Sequence, residues 1–473
     1  MQSQQPKTTL VLDVWYIIIA ILCDVPAPEK VDDGERNKAP QSFAKEIPYL
    51  RDLIGLSSTC SEFRSILAPR IFKRITLHNT AKSALAVQAI GQGKFAACVK
   101  ELQYICTHTG SWEPKTTIEE LYPPELSPVL SNLARFTSLE RLDIHFAFEG
   151  DEDLWNLLSD ELVDDFYSDA GVAEERAGEE PWRELMGSSF RAIASGYDPQ
   201  RSPNVHVPHS LGIHGLAPIT LPIYYEPAWG SFLSGVKSFT MTIPYLENGA
   251  GWCVITQPSY SGFAEYLGSW FFNHLRSAES ISFDPSETGI LGDMRDRYDA
   301  SIGLQDAASI GLHDANMPNL RRVDLANLAL CDELVGFLVR HSQTLESITL
   351  RDCNGFEGTM RWKDLFESLI AASLPRLRSL EIIHEDQDDK ERLLFLDNNW
   401  ADQSLVERAR RKIESEPGVR PFPYASLSDK YGSRLPHFDT AVQCFLEGED
   451  DRVFKELMVI VERNAAGSAG VDV

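Results

Sequence analysis

Read for its apolar positions alone, the chain keeps returning to one phrase: an apolar residue, two others, an apolar residue, one other, an apolar residue. The phrase occurs at Phe72–Ile75–Leu77, Val99–Leu102–Tyr104, Leu139–Leu142–Ile144 and Val236–Phe239–Met241. It recurs at Ala278–Ile281–Phe283, Leu320–Val323–Leu325, Leu345–Ile348–Leu350 and Leu377–Leu380–Ile382. Its last two apolar positions alternate, as a half-buried strand requires. First positions advance by 27, 40, 97, 42, 42, 25 and 32 residues. Helical stripes fill some of the gaps: Phe263, Tyr266, Leu267, Trp270 and Phe271 in one, Trp362, Leu365, Phe366, Leu369 and Ile370 in another. A shorter stripe runs through Leu126, Val129, Leu130 and Leu133. Spacing of three and four puts each set on one helix face, so Trp270 and Trp362 read as core.

Two architectures suit strand–helix alternation. The LxxLxL wording is that of leucine-rich repeats and predicts an irregular leucine-rich-repeat solenoid, or horseshoe, over residues 78–383. The asparagine that regular repeats place after LxL is mostly missing, though Asn327 and Asn354 sit near that place. The competing reading is a single α/β domain on a parallel sheet. The long step holds an acidic excursion, Glu149–Glu184, with fourteen acidic and two basic residues, read as a helical, partly solvated insertion. Tyr197–Pro227 is proline-rich and reads as irregular, Leu216–Tyr224 being its one strand-like stretch. Residues 384–473 read as a capping segment, with a charged helix at Glu407–Glu416 and an amphipathic one through Phe454, Leu457, Met458 and Val461.

Before the first phrase lie two helical fragments, Leu10–Leu22 (LVLDVWYIIIAIL) and Asp52–Phe72 (DLIGLSSTCSEFRSILAPRIF), with Pro69 marking the end of the second. Val25–Tyr49 between them reads as an inserted loop. Together the fragments resemble an F-box, and the wording DLxxLSxTCxxFRxxLxPRxF is similar to that of fungal F-box-like proteins with degenerate leucine-rich repeats. Where that family usually begins Leu-Pro, this chain has Val11 in place of the proline. The tail phrase Pro421–Gly432 resembles closing segments of the same family. The resemblance implies an α/β protein: an N-terminal helical F-box-like module over residues 1–77, the repeat solenoid, then the C-terminal cap. It also implies a partner, the Skp-type adaptor of a cullin (SCF) ubiquitin ligase, docked on Leu10, Leu12, Val14, Trp15 and Ile18.

Charge narrows the partners. With 44 basic and 70 acidic residues the net charge is −26, which disfavours nucleic acid and anionic membranes, since both select cationic surfaces. Eight scattered cysteines without a CxxC pair make no disulfide framework and favour a reducing compartment, cytoplasm or nucleus. The apolar run Val14–Cys23 covers ten residues, against ~20 for a membrane span, and reads as a buried helix.

Catalytic wording is absent: there is no phosphate loop, HExxH or GxSxG. His206, His209 and His214 lack the further ligands of a zinc site and read as ordinary surface or loop histidines. Asp386–Asp389 lacks the glycine and distal glutamate of a calcium loop. The expectation is a non-enzymatic receptor without cofactor or metal, which holds a protein substrate near the ligase so that transfer becomes effectively intramolecular. Strand residues between core positions would bind that substrate: Arg141, Asp143, His145, Arg322, Asp324, Thr349, Arg351 and Glu381. A ligase-independent scaffold and an enzyme of unrecognised type are the alternatives.

Overall fold

The structure, a computed structural model, describes residues 50–107, 118–147, 154, 155, 158, 181–197, 206–292, 309–356, 360–384, 390–394, 396, 402–428 and 430–468. Nine strands make one all-parallel sheet: β1 (Arg74–His78), β2 (Glu101–Thr107), β3 (Arg141–Ala147), β4 (Ser210–His214), β5 (Ser238–Thr242), β6 (Ser280–Asp284), β7 (Arg322–Ala326), β8 (Ser347–Arg351) and β10 (Ser379–Ile383). Their spatial order is their chain order. A small second sheet, order β12–β11–β9, joins β9 (Gly355–Phe356), β11 (Tyr424–Leu427) and β12 (Arg434–Pro436).

Register explains why the phrase recurs. Ile75, Leu102, Leu142, Leu211, Phe239, Ile281, Val323, Ile348 and Leu380 are aligned from strand to strand. All nine are buried in one continuous core. Burying such a side chain is worth ~1.5–3 kcal/mol, so each strand is pinned in register by its own apolar pair. The first backbone N–H of each later strand bonds back to the residue preceding its neighbour, as in Arg141 to Lys100, Ser210 to Glu140 and Ser280 to Lys237.

Helices cover the core side. Pro258–Trp270 and Trp362–Ala371 form where their stripes predict, with Trp270 and Trp362 buried. Pro181–Gly196 and Pro227–Ser234 add Trp182, Phe190, Trp229 and Phe232. The C-terminal helices Phe438–Glu447 and Glu449–Ser468 turn on Gly448, whose left-handed φ of 76° suits glycine. Asn464 then donates to the Leu374 and Leu377 carbonyls, and Arg420 donates to Ile382 on the last strand.

The expected architecture, an F-box-like helical module followed by a leucine-rich-repeat horseshoe with a cap, is corrected to an α/β layout on a nine-stranded all-parallel sheet. The competing single-sheet reading is the one supported. The physical reason is that LxxLxL records only a strand and its core-facing side chains; it carries no information on what joins successive strands. Those joins are unequal, from 20 residues between β7 and β8 to 62 between β3 and β4. At the other end, the helical hairpin of Leu50–Thr59 and Ser61–Ile71 leads straight into β1, with Phe72 stacked on Phe95 at 4.9 Å.

Two local expectations change as well. Pro69 lies inside the Ser61–Ile71 helix rather than after it, and the break comes at Cys60, whose Sγ accepts the Phe63 N–H at 3.4 Å. The strand in the long step is Ser210–His214, not Leu216–Tyr224. Its phrase reads Pro208–Leu211–Ile213, and proline in the first position hid it. The first fragment, Leu10–Leu22, and most of Glu149–Glu184 lie outside the described residues. Among the described residues, no helix is long and apolar enough to cross a membrane.

Candidate functional site: the polar face of the sheet

Opposite the core, alternate strand residues form three rows across the sheet. The first runs Arg74, Glu101, Arg141, Ser210, Ser238, Ser280, Arg322, Ser347, Ser379. The second runs Thr76, Gln103, Asp143, Gly212, Thr240, Ser282, Asp324, Thr349, Glu381. The third includes His78, Ile105, His145, His214, Thr242, Asp284, Ala326, Arg351 and Ile383. All eight residues expected to bind substrate sit on these rows. They fall into two groups, separated by the small side chains of β4 to β6.

The first group gathers Arg141, Asp143 and His145 of β3 with Gln103 of β2 and His214 of β4. Arg141 Nε donates to Asp143 Oδ2 at 2.6 Å, and His214 Nε2 lies 3.7 Å from Asp143 Oδ1. The His145 and His214 rings stack at 4.3 Å, while Gln103 Nε2 lies 3.3 Å from His145 Nε2. Gly212 makes the arrangement possible: a Cβ there would fall 2.4 Å from Asp143 Oδ1 and 2.7 Å from His214 Nε2. Burial raises the Asp143 carboxyl, but the nearby His214 and the hydrogen bond from Arg141 outweigh it and hold the group below its ordinary value. His145 is pushed down to about 4 by burial and then by His214, against the pull of Asp143. Asp143 is therefore ionised and His145 neutral near pH 7.

The second group is more exposed. Arg351 Nη2 lies 3.0 Å from Asp324 Oδ1, an ion pair without hydrogen-bond geometry, because the same oxygen has no hydrogen-bond partner. Burial raises the Asp324 carboxyl; Arg351 opposes this, and Asp284 and Glu381 reinforce it. Asn327, held at a left-handed φ of 52°, donates Nδ2 to Asp284 Oδ1 at 2.9 Å. Arg322 and Glu381 stand exposed on β7 and β10, and Thr349 is half-buried between Asp324 and Glu381.

Sequence reasoning missed Gln103, Gly212 and His214, and read His214 as a surface or loop histidine where the structure puts it at the end of β4. The spacing Leu211–x–Ile213 was the available signal. Leu10, Leu12, Val14, Trp15 and Ile18, the residues expected to meet the adaptor, lie outside the described residues. The hairpin that follows them packs Leu53 and Leu67 in a small core of its own, with Leu56, Phe63, Ile66 and Ile71 half-buried and Ile54 48% exposed.

Chemically, both groups are ion pairs and amide contacts suited to reading another surface. Strand order does not reverse among the nine strands, so they lack the switch point at which doubly wound sheets open a ligand crevice. Among the described residues no cluster of three His, Cys, Asp or Glu side chains is placed to hold a metal ion. No protein-family model matches the chain, and no curated protein sequence matches it significantly.

Proposed function

We propose that the chain is a non-catalytic receptor that holds a protein substrate on the polar face of its sheet and docks through its N-terminal segment onto the Skp-type adaptor of a cullin ubiquitin ligase. The observation that carries the reading is the run of polar rows across nine in-register strands, exposed at Arg141, Arg322 and Glu381 and half-buried at Asp324 and Arg351, which sets charges of both signs at strand spacing. Fixed, alternating charge gives specificity and orientation more than raw affinity, as substrate selection demands. The docking half rests on the F-box resemblance. Its second fragment forms a helical pair with a half-covered apolar side, as a segment that meets another protein would.

Co-purification tests both halves. The full chain is expected to bring down the adaptor, and Leu10→Asp with Trp15→Asp is expected to lose it while keeping the unfolding temperature. Arg322→Glu with Arg351→Glu is expected to lose captured substrates while keeping the adaptor. Circular dichroism checks the fold, since Arg351→Glu faces Asp324. Capture of partners without any adaptor identifies a ligase-independent scaffold; an unchanged partner set from the double Arg variant refutes the sheet-face assignment.

A further inference from the structure

On the helical side, away from the polar rows, the Pro222–Tyr225 turn and the Pro227–Ser234 helix meet the segment after the Phe272–His274 turn around a cleft of about 340 Å³. That is within the ~300–1,000 Å³ range of small-molecule sites. Small residues on one helix face, Gly230, Ser231 and Ser234, leave the space. Gly230 is needed for it, because a Cβ would sit 2.7 Å from His274 Nδ1 and drive the imidazole off the helix.

The cleft's polar groups are unevenly matched. Glu226 is its one carboxylate and is already held by Arg191 Nε at 2.8 Å. Arg276, in contrast, makes no ion pair or side-chain hydrogen bond among the described residues. Arg276 is exposed at the mouth of the cleft, so its guanidinium is open to an anion entering it. Next to it, His274 is held neutral by burial and by Arg276, with a hydrogen bond to the Ser269 backbone opposing them. Ser231 is exposed at the rim.

We infer that this cleft binds a phosphate monoester, with the Arg276 fork on two phosphate oxygens and His274 and Ser231 around the rest. A planar fork plus separate hydroxyl and imidazole groups matches a three-oxygen anion better than a two-oxygen carboxylate. Tyr224 and Pro227 form an apolar wall for the organic part of the ester. The site is independent of the proposed receptor role and lies on a different face.

Calorimetric titration of the full chain with inorganic phosphate, O-phosphoserine and a phosphoserine peptide tests it. Saturable binding is expected, weakened tenfold or more by Arg276→Gln and by Ser231→Asp, the latter an exposed helix position where the fold is safe. Lys82→Gln, an exposed cation elsewhere, is expected to leave binding unchanged. Tighter binding of the peptide than of phosphoserine assigns the site to a phosphorylated protein; equal or weaker binding assigns it to a small ester. The inference is overturned if none of the three probes saturates, or if Lys82→Gln weakens binding as much as Arg276→Gln.

Discussion

Lowering the pH from 7.5 to 5 should destabilise the fold through His384, which follows β10 and is buried against the edge of the Trp362 ring at 6.1 Å. Burial, then Arg420 and Arg434, push this histidine down to about 3. Asp352 Oδ1, 3.9 Å from Nδ1, does not reverse that. An unfolded histidine has a pKa of ~6.5, so the unfolded chain takes up the proton first. A base whose folded pKa is depressed supports the fold while neutral, and that support fades as pH falls from ~6.5 towards about 3. The gap of roughly 3.5 units corresponds to ~5 kcal/mol in full, of which ~2 kcal/mol is lost by pH 5. His384→Gln stays neutral throughout and is expected to show a pH 7.5-to-5 stability difference ~2 kcal/mol smaller than the parent chain, by urea unfolding at both pH values. His145, pushed down to about 4, adds its own acid sensitivity in both proteins, and being six strands away it cancels from the comparison. Equal pH dependence in the two proteins would refute the claim that His384 is buried neutral.

Two further substitutions test the sheet. Gly212→Ala forces a Cβ against Asp143 and His214 and is expected to destabilise by ~1–3 kcal/mol in urea, with shifted His145 and His214 ring resonances; unperturbed rings would show that the stacked pair does not depend on that gap. Asn79→Ala removes a buried amide that donates to the Thr107 and Leu121 carbonyls and accepts the Thr107 N–H, so a loss of ~1–3 kcal/mol is expected, with faster hydrogen exchange at Thr107.

The strands were legible because their core side repeats a chemical demand. Eight of the nine central strands carry an aliphatic or aromatic residue in all three phrase positions, except that Ala278 stands first in one. β4 escaped because Pro208 fills its first position, although Pro208 is buried like six of its eight counterparts. Asn79 could have been found: it follows Leu77 by two residues as Asn327 follows Leu325, and both side chains tie one strand's end to its neighbour. The site was legible only along each strand. Alternation puts Arg141, Asp143 and His145 on one face, but bringing Gln103 and His214 beside them depends on register across two connections, and sequence spacing does not encode register.

The same limit accounts for the corrected architecture. A strand phrase specifies what faces the core, and any chain that stacks parallel strands in order must satisfy that demand whatever it places between them. Here the intervening pieces range from the Ala81–Gln92 helix to the two aromatic-rich segments that carry Tyr224 and Trp229 before β5 and Trp270 and Phe271 after it. Those four rings pack at centroid distances of 5.0 to 6.3 Å in the middle of the core, behind β4 to β6. The small polar residues of the open face, Gly212, Thr240 and Ser282, lie on those same three strands. Rigid aromatic packing behind and small side chains in front leave the two charged groups fixed at either side of a shallow polar centre, so a bound surface would be read by its charges at both ends rather than by a single anchor.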